Sequence, residues 1–221
     1  MATGKIIDLR RLLAERFPQE SLPPGERLPT GLATFDDAMG GGLTKGAITE
    51  LSSPAPQTGS ATLLALLLRR AWRERYFIAL IDGRDSFDPE SVNPAALPHL
   101  LWIRCAKTSE ALQAADLLLR DGNFPLVVLD LVLNPAPELR KIPQSNWYRL
   151  QRLVEPAPTA FLVLTPQNMI SSAQWKLALE NQWTLSQLEA ETAELSARLQ
   201  FRRQRGQPNE SRKDAALSQA G

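Results

Sequence analysis

Five short runs that are apolar at nearly every position, spaced by stretches with helical periodicity, constrain this chain more than any other feature. They fall at 47–51, 76–81, 99–104, 126–131 and 160–164. A strand apolar throughout is covered on both faces, and strands that alternate with helices run parallel. The spacing predicts a strongly apolar helix over 60–74. A second is predicted over 108–120, with Thr108 as N-cap and Gly122 just past its end, and a third over 147–154. A shorter one over 35–39, capped by Thr34 and ended by Gly40, Gly41 and Gly42, precedes them. Two later runs, 175–180 and 197–203, alternate in polarity and predict antiparallel strands added at a sheet edge, with a polar helix over 185–195 between them. The fold class is therefore α/β: a mostly parallel central sheet with helices on both faces and antiparallel edge strands near the C-terminus.

A chain of 221 residues suits one such domain with short extensions. Residues 6–17 form an amphipathic pattern, with Ile6, Leu9, Leu13 and Phe17 on one stripe and Arg10, Arg11, Glu15 and Arg16 outside it. Pro18, Pro23, Pro24 and Gly25 then break the chain. The expected organisation is an N-terminal helix and linker over 1–25, a core domain over 26–205 and a polar, disordered tail over 206–221. A formal net charge of +1 excludes global steering toward nucleic acid or membrane. The positive charge concentrates at the end, in Arg202, Arg203, Arg205, Arg212 and Lys213 against Glu210 and Asp214, so an electrostatic DNA footprint would sit there. The lone cysteine, Cys105, excludes an intrachain disulfide and reads as a small buried hydrophobe. The charged start lacks the apolar region of a signal peptide, and the apolar stretch 61–68 is too short to span a bilayer. These features predict a cytoplasmic protein.

Residues 28–68, LPTGLATFDDAMGGGLTKGAITELSSPAPQTGSATLLALLL, resemble the opening of the RecA family. Thr30-Gly31, Asp36, the glycines at 40–42, Gly46 and Glu50 stand where that family has its threonine-glycine pair, its helix aspartate and the glycine-rich turn into its first core strand. Residues 78–89 resemble the end of the second core strand, 108–131 the helix and Walker B strand with Asp130, and 161–167 the next strand and its sensor tip. Four such segments in order imply a RecA-like, P-loop NTPase-type core.

The phosphate loop departs from the pattern. A working loop reads GxxxxGK[ST]: its amides cradle the phosphates, its lysine neutralises them and its hydroxyl holds Mg²⁺. Here the segment runs from Pro54 to Ala61. Gly59 survives, Ser60 stands where the lysine belongs and Ala61 where the hydroxyl belongs; a shift by one residue supplies Thr62 but no lysine. Pro54 and Pro56 remove amide donors. The resemblance puts the catalytic acid position at Arg84, a cation, and sets Thr165-Pro166 at the sensor tip with Gln167 displaced. Asp130 alone remains, with no triphosphate clamp to serve. A non-catalytic protein with no cofactor is expected.

DNA contacts by the core are also expected to be weak. Only residues 167–174 remain for the second DNA loop of the family, and the first, near 134–146, carries Arg140 and Lys141 but also Pro135, Pro137 and Pro143. Trp147 and Tyr148 read either as base-stacking groups or as the packed start of a helix. Residues 175–205 resemble the close of ImuA-type chains, RecA-like proteins tied to SOS mutagenesis. That resemblance implies RecA, or an ImuB-like protein and an error-prone polymerase, as partners, with Ile6, Leu9, Arg10, Leu13 and Phe17 as the docking face and Arg202, Arg203 and Arg205 as a possible tail contact to DNA. A SulA-like inhibitor of cell division and an ATP-binding recombinase paralogue stand as alternatives.

Overall fold

The computed structural model describes residues 26–55, 58–184 and 192–205. The amphipathic segment with Ile6, Leu9, Arg10, Leu13 and Phe17, the tail over 206–221 and the first part of the helix expected over 185–195 lie outside the described residues. The elements run β1 (Arg27–Leu28), α1 (Ala33–Met39), β2 (Leu43–Thr44), β3 (Ala47–Ser52), α2 (Ser60–Arg73), β4 (Ile78–Asp82), β5 (Leu100–Arg104), α3 (Thr108–Asp121), β6 (Leu126–Asp130), α4 (Ala136–Leu139), α5 (Gln144–Val154), β7 (Ala160–Thr165), β8 (Trp175–Leu179), α6 (Thr192–Ala197) and β9 (Phe201–Arg205). Two 3₁₀ turns, Pro89–Ser91 and Pro94–His99, lead into β5.

Seven strands form one sheet in the order β5-β4-β6-β7-β3-β8-β9, while β1 and β2 pair apart from it. The central strands are apolar at most positions because successive side chains enter cores on opposite faces of the sheet; Thr49, Glu50, Ser52, Asp82, Asp130 and Thr165 are the exceptions. Leu80, Leu126, Val128, Leu162 and Leu164 pack toward α1 and α2, with Phe35, Met39, Leu63 and Leu67. Ala79, Ile81, Val127, Leu129, Phe161 and Val163 pack toward α3 and α5, with Ala115, Leu119, Trp147 and Leu150. This two-sided burial is what parallel strands with crossover helices require.

Several local expectations are corrected. Strand β8 pairs parallel with β3, Thr49 opposite Trp175 and Leu51 opposite Leu177, and only β9 is antiparallel. The alternation in β8 comes from Lys176, which reaches inward to a buried partner rather than out to solvent. Thr34 lies inside α1, whose N-cap is Leu32 without a side-chain bond. The cap is replaced by Asp36, whose carboxylate accepts the Thr30 N–H at 2.9 Å, the Thr30 hydroxyl at 2.7 Å and the Gly31 N–H at 3.0 Å. Thr108 is the first residue of α3 rather than its N-cap, and its hydroxyl donates to Glu138 at 2.8 Å. Residues 192–197 are helical, so the helix reaches Ala197, where the strand was expected to begin, and β9 starts at Phe201. Trp72 is 37% exposed on α2. Trp147 is fully buried, whereas Tyr148 is 52% exposed.

Candidate functional site

In a parallel sheet ligands bind beyond the carboxyl ends of the strands, where loops turn into helices. The loop from β3 to α2 is where the sequence resemblance puts a phosphate loop. Its hydroxyls turn inward: Ser53 and Thr58 are buried and hydrogen-bonded to each other, and Thr58 Oγ1 donates to the Ala55 carbonyl at 2.7 Å. The Ser53 N–H donates to the Thr165 carbonyl at 2.7 Å, fixing the loop to the end of β7. Pro54 is exposed at the turn. Gly59 caps α2 with φ +101°, and no side chain caps the helix; neither Thr58 nor Ser60 does so. Ser60 is buried, Ala61 exposed and Thr62 half-buried on the first turn.

Gly59 is covered by apolar side chains from the C-terminal part of the chain. A methyl group placed on it would fall 2.6 Å from Leu199 Cδ2 and 3.0 Å from the Trp183 ring. Trp183, Leu195 and Leu199 are themselves buried in the core that contains α2. Nothing in the sequence context of Trp183 places it over the loop. Beside this contact lies a cleft of about 1010 Å³, walled by Ser52, Gln167, Asn168, Glu180, Gln200 and Arg202 among others. Its lining is mostly amide and hydroxyl. Among the described residues that line it, Arg202 is the only cation, and it is paired with Glu180.

The neighbouring strand ends carry carboxylates. Asp82, at the end of β4, is 1% exposed and in register with Asp130 of β6. Asp82 accepts the N–H groups of Ser86 and Phe87, each at 2.8 Å, the Ser86 hydroxyl at 3.2 Å, the Trp102 indole at 3.2 Å and the Arg84 N–H at 3.3 Å. Both its oxygens are therefore committed to folding the loop 83–87. The sequence signal for Asp82 is an acid that ends an apolar strand just before a glycine. Arg84 sits in the turn where it was expected, its guanidinium on the Ala106 carbonyl at 3.3 Å. Asp130 accepts the Val132 N–H at 2.9 Å. Burial, with a smaller contribution from the neighbouring Asp82, pushes its carboxyl up to about 6.

Glu50 is the third acid. It is fully buried in the middle of β3, 3.0 Å from Lys176 Nζ. Its other oxygen accepts the N–H of Met169 at 2.6 Å and of Ile170 at 3.1 Å, and the Thr165 hydroxyl at 3.3 Å. Glu50 thus ties β3 to β8 and holds the turn after β7 in place. The segment near 134–146, expected as a proline-restricted remnant of a DNA loop, contains α4, with Leu139 and Ile142 in the core and Arg140 and Lys141 exposed. Arg202, Arg203 and Arg205 lie on β9, at the sheet edge, rather than in a tail.

No protein-family model matches the sequence. The chain is similar to RecA of Frankia alni, 30% identical over 125 residues that cover 55% of this chain and 36% of that protein. It is 33% identical to RecA of Clavibacter michiganensis over 125 residues, 55% of this chain and 34% of that protein. RecA of Acidothermus cellulolyticus is likewise 33% identical, with 55% and 36% covered. The chain spans about a third of the length of these curated relatives. Among solved structures the RadB recombinase superposes with a TM-score of 0.55 at 19% identity, covering 68% of this chain and 82% of that one. The sequence similarity to RecA over 55% of the chain and the superposition with RadB show a RecA-like α/β fold.

Proposed function

We propose that this chain is a non-catalytic RecA-like accessory protein of the DNA-damage response. In this reading it acts in induced mutagenesis by binding RecA or components of a mutagenic polymerase, as its ImuA-type resemblance implies. The observation that carries the reading is the contact of Trp183 and Leu199 with Gly59. A phosphate cradle works by leaving amides and a helix N-terminus open to an anion. Here the equivalent glycine faces a tryptophan ring and a leucine methyl, surfaces that repel a polyanion by refusing it solvation. Ser60 and Ala61 supply neither a cation nor a Mg²⁺ ligand beside them. Asp82, spent on its own loop, leaves no free carboxylate at the end of β4 to orient a water.

A core without its own chemistry acts through its surface. Strand β5 is a free edge among the described residues and exposes Leu101, Trp102 and Ile103 partly to solvent. An apolar open edge of this kind favours pairing with another chain. Two measurements test the proposal. Titration with Mg-ATP, followed calorimetrically, is expected to show no binding up to millimolar nucleotide, and micromolar binding would overturn it. Tagged protein recovered from DNA-damaged cells with nuclease present is expected to carry RecA or the polymerase components; recovery of the division protein FtsZ in their place would assign it to the SulA-like class.

A further inference from the structure

Strand β9 closes the sheet on the side opposite β5. Its inner side pairs with β8, Leu179 opposite Phe201, Ala178 opposite Arg202 and Leu177 opposite Arg203. Among the described residues no strand covers its outer side. The Gln200 carbonyl accepts the Glu180 N–H at 3.1 Å, so Gln200 faces inward. The alternation of an antiparallel ladder then turns the N–H and C=O of Phe201 and Arg203 to the open edge.

The edge is cationic as well as open. Residues 202–205 are exposed, and three of them are arginines. Arg202 is ion-paired with Glu180, and Arg205 Nη1 donates to the Ser171 carbonyl at 3.3 Å. Arg203 forms no ion pair among the described residues. Phe201 is anchored edge-on to Phe35, ring centroids 5.0 Å apart, which fixes the strand without using its outer main chain. A second copy of β9 is a poor occupant, because it would set arginines against arginines, and like charges directly opposite destabilise a strand pair. An acidic strand meets the same row with opposite sign.

We propose that β9 is a strand-addition site for an acidic, extended segment of a partner protein. The segment's main chain pairs with Phe201 and Arg203, and a carboxylate meets Arg203, which forms no ion pair among the described residues. This is β-augmentation, with the ladder supplying affinity and the charges supplying selectivity. The site is independent of whether the chain binds nucleotide, so it stands or falls separately from the phosphate-loop reading.

The test uses the full chain and a fluorescein-labelled, capped decapeptide of alternating threonine and glutamate, followed by fluorescence anisotropy. The peptide is expected to bind, and the same peptide with glutamine for glutamate to bind about tenfold more weakly. N-methylation of every second peptide nitrogen removes ladder donors without touching the protein and is expected to weaken binding about tenfold or more. Arg203→Glu, an exposed change whose thermal melt is expected to match the parent, should weaken the acidic peptide to a similar degree. Three results would overturn the proposal: no binding at millimolar peptide, equal binding of the N-methylated peptide, or tighter binding of a single-stranded oligonucleotide of equal charge that is also lost in Arg203→Glu.

Discussion

After β3 the chain turns into α2 beneath an apolar contact, Leu199 and Trp183 upon Gly59, whereas after β4 it turns around one carboxylate, that of Asp82. Both loops leave the same end of the sheet, and in a RecA-like core both are positions where a nucleotide is handled. The first is closed by groups that need only shape; the second by a group that needs every donor in place. Apolar contacts are non-directional, so a neighbour can relax around a change. A buried carboxylate held by several N–H groups leaves each of them unsatisfied when it is removed. One end of a sheet can thus be filled by two kinds of chemistry that respond differently to substitution.

The sharpest way to break this comparison is Asp82→Ala. It removes the acceptor for two short backbone bonds, a hydroxyl and the Trp102 indole, and is expected to lower the unfolding free energy by about 3–5 kcal/mol in urea denaturation. A loss below about 1 kcal/mol would show that loop 83–87 holds its shape without the acid. Gly59→Ala is expected to cost less, about 2–3 kcal/mol, from its left-handed φ and the 2.6 Å approach to Leu199. Combined with Leu199→Ala, the loss should be smaller than the sum of the two single losses, by about 1 kcal/mol. Strict additivity would mean that the two side chains do not meet.

The smallest effect concerns Asp130. Its carboxyl is raised from 3.8 to about 6 in the folded protein, so the folded state binds a proton that the unfolded chain has already released. Its contribution is therefore full below about pH 4 and is lost as pH rises to about 6. Asp130→Asn keeps the acceptor for Val132 and removes the charge. It is expected to stabilise the protein at pH 7 by about 1–2 kcal/mol and to flatten the pH dependence between 4 and 6. Equal pH profiles for parent and variant would show that Asp130 stays ionised when folded.

The central strands were legible because most of their positions are apolar, a pattern that two-sided burial produces. Residues 78–82, 126–130 and 160–165 are strands inside or beside the predicted runs. The direction of β8 was not legible, because the one polar residue that made it look like an edge strand, Lys176, is neutralised by Glu50, a residue 126 positions earlier in the chain. Of the candidate site, the residue substitutions at Ser60, Ala61 and Arg84 were visible, since a motif is a local string. The roles of Asp82 and Trp183 were not visible, since neither lies in the motif.

Local sequence determined the class of fold here: periodicity decides which side chains are buried, and burial on two faces decides that a sheet is sandwiched between helices. Sequence also determined that residues 54–61, where the resemblance puts the phosphate loop, contain no lysine. Only the tertiary structure decided what fills the space around Gly59, which way Lys176 turns and which backbone groups remain free at β9. The first two outcomes depend on segments more than a hundred residues apart meeting at contact distance, and the third on the pairing of β9 with β8; no local pattern encodes a meeting of that kind.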